Sequence, residues 1–62
     1  MNWAENIKKL RNKMLLTQQE LAKLLSVAYV SVNRWENNVN EPTMKIKRRL
    51  LKMMEKYKIL EN

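Results

Sequence analysis

The side chains that could do chemistry in this sequence are amides, amines and guanidinium groups. The 62 residues include no cysteine and no histidine, which excludes disulfides, thiolate zinc sites and imidazole catalysis. The six acidic residues are scattered, and acid–base catalysis needs carboxylates gathered in a pocket. No nucleophile, base or metal set can be assembled, so neither an enzyme nor a cofactor is expected. One group of residues stands apart. At about 100° per residue, Val30, Asn33, Arg34 and Asn37 fall on one side of a helix with Tyr29 at its flank, while Ala28, Val32 and Trp35 define the opposite, buried side. Flat amides beside an arginine and one exposed β-branched residue make an odd solvent face. They make a sensible one for reading base edges: arginine can bond guanine O6 and N7, asparagine can pair similarly with adenine, and valine can touch a thymine methyl.

Composition agrees with a polyanionic partner. Thirteen Lys and Arg against six Asp and Glu leave a formal charge of +7, which suits nucleic acid or an anionic membrane surface. No apolar run approaches the ~18 residues of a membrane span, and no leader pattern opens the chain. A soluble single domain over residues 1–62 is expected, and the lack of cysteine fits the cytoplasm. The chain has no glycine and one proline, is 45% hydrophobic and is rich in Leu, Met, Lys, Glu and Gln. That composition is too apolar for disorder and favours an all-α fold.

The elements that must position the polar face follow from periodicity. Trp3, Ile7, Leu10 and Met14 make one stripe of a first helix over about 2–14, with Asn2 as cap and Glu5 placed to complete a box-like pair. Lys8, Lys9, Asn12 and Lys13 form its solvated side. Thr17-Gln18-Gln19-Glu20 is a capping box, and Leu16 and Leu21 stand at the positions of a hydrophobic staple, so a second helix runs over 17–25. Ser26-Val27 interrupts the pattern before a third helix over 28–37. Asn38 can end that helix in the left-handed conformation. Thr43 then caps a fourth helix over 43–57, apolar along Ile46, Leu50, Met53, Met54 and Tyr57 with Met44 and Leu51 at the margin. Its opposite side carries Lys45, Arg48, Arg49, Lys52 and Lys56.

Two short helices joined by a tight turn, the second with a polar outer face, make a helix-turn-helix. Counting from Gln18, the apolar positions where the helices meet hold Leu21, Leu25, Val27, Val32 and Trp35, and the crossing point holds the small Ala22. From Ile7 to Thr43 the sequence resembles the phage Cro/repressor-like helix-turn-helix family. The resemblance rests on Arg11, on Thr17-Gln18-Gln19-Glu20-Leu21-Ala22, on Ser31-Val32-Asn33-Arg34-Trp35-Glu36-Asn37 and on Glu41-Pro42-Thr43. It implies a lambda-repressor-like bundle of four or five helices whose third helix lies in the major groove of double-stranded DNA, in a bacterial or phage-host cytoplasm. It also implies base reading by Tyr29, Val30 and Arg34 and phosphate contacts from Gln18 and Asn37; Asn33 is expected to join the base readers by its amide chemistry, and Ser31 is a further candidate phosphate contact. Arg11 and Glu36 match a buried or half-buried structural ion pair. Three positions depart from the family pattern: Ser26 and Asn38 replace glycines, and Ala28 offers no side-chain cap to the third helix.

Several alternatives stay open on the sequence alone. Tyr29 can face a base, pack on the sugar-phosphate wall or fold back to the core. Lys45 and Arg48 can reach phosphates from the start of the fourth helix, whereas Arg49, Lys52 and Lys56 are expected to be solvated. Met53, Met54, Tyr57, Ile59 and Leu60 either close the core or pair with a second copy, as a homodimer on a symmetric operator would require. A repressor is the leading reading. The others are an antitoxin whose residues 53–62 bind a partner protein, and a basic amphipathic fourth helix that binds a membrane or partner.

Overall fold

A computed structural model describes residues 2–59. Four helices follow one another: α1 (Trp3–Lys13), α2 (Gln18–Leu25), α3 (Tyr29–Glu36) and α4 (Met44–Lys56). There is no fifth helix and no strand among the described residues. Each helix is one residue shorter at one or both ends than periodicity suggests, because the flanking residues are half-in caps.

The apolar stripes converge on one core. Ile7 and Leu10 of α1, Leu21, Ala22 and Leu25 of α2, Val32 and Trp35 of α3, and Leu50 and Met54 of α4 are buried together. Trp3, Met14, Leu16, Val27, Ile46, Met53, Tyr57 and Ile59 pack around them, partly covered. At roughly 1.5–3 kcal/mol for a fully buried Leu, Ile or Met side chain, this shared cluster is the principal stabilising term in so small a chain. It also occupies the apolar side of α4. Leu50 and Met54 are wholly buried, so a free amphipathic α4 lying on a membrane would require opening the core. Of the surplus apolar residues near the C-terminus, Met54 closes the core and Met53, Tyr57 and Ile59 cover its edge, whereas Leu60 lies outside the described residues.

The helix starts differ in how they are held. Thr17 caps α2 in a complete box: its hydroxyl accepts from the Glu20 amide at 3.1 Å, and its own amide donates to Glu20 Oε1 at 2.8 Å. Those bonds lower the Glu20 pKa, the Thr17 amide contributing most. Asn2 accepts from the Glu5 amide at 3.1 Å, but no bond from the Glu5 carboxylate returns, so that pair is half a box. Thr43 has the extended backbone of a cap without a capping bond from its side chain. Ala28 does not lie on the buried side of α3: it is the extended residue before the helix, φ −71° and ψ 146°, and its side chain is exposed. The helical wheel fails there because the helix starts one residue later.

All four helices end in the same way. A residue just past each helix turns left-handed: Leu15 at φ 58°, Ser26 at 58°, Asn38 at 61° and Lys58 at 57°. In each case the next amide reaches back five residues, from Leu16 to Arg11 (3.0 Å), Val27 to Ala22 (2.9 Å), Val39 to Arg34 (2.9 Å) and Ile59 to Met54 (2.8 Å). These are Schellman motifs, which glycine usually serves, built here in a chain that has none. In three of them the closing residue, Leu16, Val27 or Ile59, packs against the core, and that contact holds a backbone the side chain disfavours.

Candidate nucleic-acid interface

The tight turn at Ser26 sets α3 against α2, and the packing of Val32 and Trp35 turns Tyr29, Val30 and Arg34 outward. Val30 is 48% exposed and Tyr29 46%, so Tyr29 does not fold back into the core. It lines concavities beside the start of α2, one shared with Thr17, Gln18 and Gln19. Arg34 is exposed and takes no part in the two ion pairs found among the described residues, Arg11–Glu36 and Lys47–Glu41. Its guanidinium is therefore available to an external acceptor. Ser31 is half-buried and lines a groove with Arg34, Asn40 and Thr43, between α3 and the loop that leads into α4.

Behind this face a polar network joins three helices. The Arg11 guanidinium donates from Nε to Glu36 Oε2 at 2.7 Å and from Nη2 to Glu36 Oε1 at 2.9 Å, a bidentate pair. Its third arm donates from Nη1 to the Leu16 carbonyl at 3.1 Å, closing the α1–α2 connection. The hydrogen bonds to Glu36 raise the Arg11 pKa further, so this charge is permanent. Glu36 is only 4% exposed, and its Oε1 also accepts from Gln18 Nε2 at 3.1 Å. Gln18 Oε1 accepts in turn from Asn33 Nδ2 at 3.1 Å, and Asn33 Oδ1 from Asn37 Nδ2 at 3.2 Å. Asn37 also donates to the Asn33 carbonyl at 2.9 Å.

This places three of the candidate contact residues in new light. Gln18, Asn33 and Asn37 are not free surface amides; each is held by the next, and the chain of bonds ends on a buried ion pair. Hydrogen-bond stoichiometry still leaves Gln18 and Asn33 one N–H and one oxygen lone pair each for an external partner. Holding them in advance lowers the side-chain entropy that a contact would otherwise cost. Arg11 reaches the same network from α1, so the ion pair fixes the start of α2 relative to the end of α3.

On α4, Lys45 and Arg48 are exposed near the helix start. Two neighbours behave otherwise. Lys47, which periodicity does not single out, bonds Glu41 at 2.6 Å and sits 5.2 Å from the centre of the Trp3 ring. Arg49 is not simply solvated: it donates from Nη1 to the Leu25 carbonyl and from Nη2 to the Leu24 carbonyl, both at 3.1 Å. The contacts with Trp3 and with the α2 carbonyls have no local signal, since both depend on where α4 crosses the earlier helices. No group of three or more acidic, histidine or cysteine side chains among the described residues could hold a metal ion. No helix there is long and apolar enough to cross a membrane.

A protein-family model described as Helix-turn-helix matches residues 7–59, which takes in every helix from the middle of α1 onward. No curated protein and no solved structure matches the chain. With the capping box, the left-handed turn at Ser26 and the outward polar face of α3 lying inside the matched span, the chain belongs to the Cro/repressor-like helix-turn-helix family of DNA-binding transcription regulators.

Proposed function

We propose that this protein binds double-stranded DNA sequence-specifically as a transcriptional repressor in the cytoplasm, with α3 as the recognition helix in the major groove. The observation that carries the reading is the unpaired, exposed Arg34 beside Val30 and Tyr29 on a helix whose other side is locked into the core. Arg34 bonds guanine O6 and N7, Val30 meets a thymine methyl, and Asn33 offers its remaining N–H and lone pair to adenine. Tyr29 packs at the edge of the groove. Gln18, Ser31, Asn37, Lys45 and Arg48 engage phosphates, which set register and supply salt-dependent affinity.

Two copies would bind a two-fold symmetric operator with half-sites about one helical turn apart. The test is selection of bound duplexes from a random pool, followed by salt titration on the selected duplex and a scrambled control. A symmetric motif bound ~10³-fold or more above the control supports a dimeric sequence-specific regulator. Equal affinity and equally steep salt dependence on both duplexes would reduce the protein to a non-specific polycation.

A further inference from the structure

The aim of a recognition helix depends on the turn before it, and here the local supports of that turn are weak. Ser26 holds a left-handed backbone without being glycine, and Ala28 supplies no side-chain cap to α3. The backbone bonds of the turn itself end on the Ala22 and Lys23 carbonyls. The carbonyls of Leu24 and Leu25, in the last turn of α2, are met instead from outside by the two Nη atoms of Arg49. Arg49 is anchored in turn, because the next residue of α4, Leu50, is fully buried in the core.

We propose that Arg49 is a positioning residue for base reading: its guanidinium clamps the C-terminal end of α2 from α4 and so fixes the angle at which α3 leaves the Ser26 turn. The inference rests on the DNA-reading proposal above. The chemistry suits the place. A cation is favoured where helix carbonyls converge, and a planar guanidinium spans two adjacent carbonyls at fixed spacing, which a single ammonium does not reproduce. Arg49 then acts on sequence preference without touching a base.

The experiment compares the wild-type 62-residue chain with Arg49→Met, Arg49→Lys and Lys52→Met on the selected duplex and on its scrambled control, across salt concentrations. Lys52→Met removes one exposed charge from the same helix and serves as the charge control. Circular dichroism sets a temperature at which every variant is folded, and Arg49→Lys keeps the test informative if Arg49→Met unfolds. The expected result is a loss of ~10-fold in the specific-to-scrambled ratio for both Arg49 variants, at unchanged affinity for the control, out of the ~10³ or more that separates the two duplexes. Lys52→Met should leave that ratio alone. If Arg49→Met weakens both duplexes equally and lowers the salt slope by about 1, Arg49 is a phosphate contact and the inference is overturned. An unchanged ratio in a selective protein overturns it as well, while leaving the DNA reading intact. A wild type with no sequence preference removes the DNA reading itself, and this inference with it.

Discussion

Leu15 offers a clean test of how this glycine-free chain ends its helices. Its backbone is left-handed at φ 58°, and its side chain is 90% exposed. Holding a Cβ in that region costs about 1–2 kcal/mol. Replacing Leu15 by glycine removes the penalty and forfeits little burial, roughly a tenth of a side chain worth about 1.5–3 kcal/mol. Against this stands the larger unfolded-state freedom of glycine, about 0.5–1 kcal/mol. The balance is a net gain of about 0.5 kcal/mol, or ~2–4 °C in Tm for a domain of this size. Lys9→Gly is the control: it is exposed in the interior of α1, where glycine costs about 1 kcal/mol. Thermal unfolding followed by circular dichroism should therefore show Leu15→Gly above wild type and Lys9→Gly below it. Should Leu15→Gly fall as far as Lys9→Gly, the left-handed strain assigned to Leu15 does not exist.

Three other outcomes follow from the same geometry. Glu36→Gln leaves the Arg11 guanidinium half-buried without its counter-charge and should cost about 3 kcal/mol in urea unfolding, the low end for a buried pair because Arg11 keeps some solvent contact. The double variant Arg11→Met/Glu36→Leu should unfold closer to wild type than Glu36→Gln does. Because the Thr17 amide lowers the folded-state pKa of Glu20, its contribution is fully present above the ordinary carboxylate range and is lost as pH falls through the lowered value. Below about pH 5, Tm should accordingly fall less steeply in Glu20→Gln than in wild type. Arg34→Ala should relax preference at one base pair by about 1–3 kcal/mol, and Lys45→Ala should weaken all duplexes alike, both read by competition binding; uniform loss in both would move the reading face elsewhere.

What could be read from the sequence divides along the range of the interactions. The capping box needs only Thr17 and Glu20 three residues apart, and the helix-turn-helix register needs only the spacing of Leu21, Ala22, Leu25, Val27, Val32 and Trp35. Both signals are local, and both appear in the structure. Ala28 departs from the helical wheel for a local reason too, since periodicity does not say where a helix starts when the cap is an alanine. Leu15 carries no turn signature at all; its conformation is imposed by Leu16, whose side chain packs on the core and whose amide returns to Arg11. Arg49 reads as a member of a solvated stripe, and Lys47 carries no signal at all, because their partners, the α2 carbonyls and Trp3, lie on helices distant in sequence. Loop-spanning contacts of that kind have no period to betray them.

On the proposed reading of DNA, the amide chain from Asn37 through Asn33 and Gln18 to Glu36 would couple recognition to stability more tightly than surface contacts do. Gln18 stands where a phosphate is expected and Asn33 where a base is expected, yet the same side chains complete the hydrogen bonding around a buried carboxylate. An adjustment of Asn33 toward a base therefore pulls on Gln18, and through Glu36 on Arg11 and the α1–α2 connection. Substituting Gln18 should for that reason not behave as the loss of one phosphate contact. Gln18→Ala leaves Asn33 with an unpaired amide and Glu36 Oε1 with one donor fewer, so both unfolding stability and base preference should fall. Gln18→Glu would bring a second carboxylate to within reach of Glu36 and should be the worse of the two, since like charges beside a buried group oppose ionisation. If both variants lost affinity equally on every duplex with stability unchanged, Gln18 would be a peripheral phosphate ligand and the network would have no part in reading DNA.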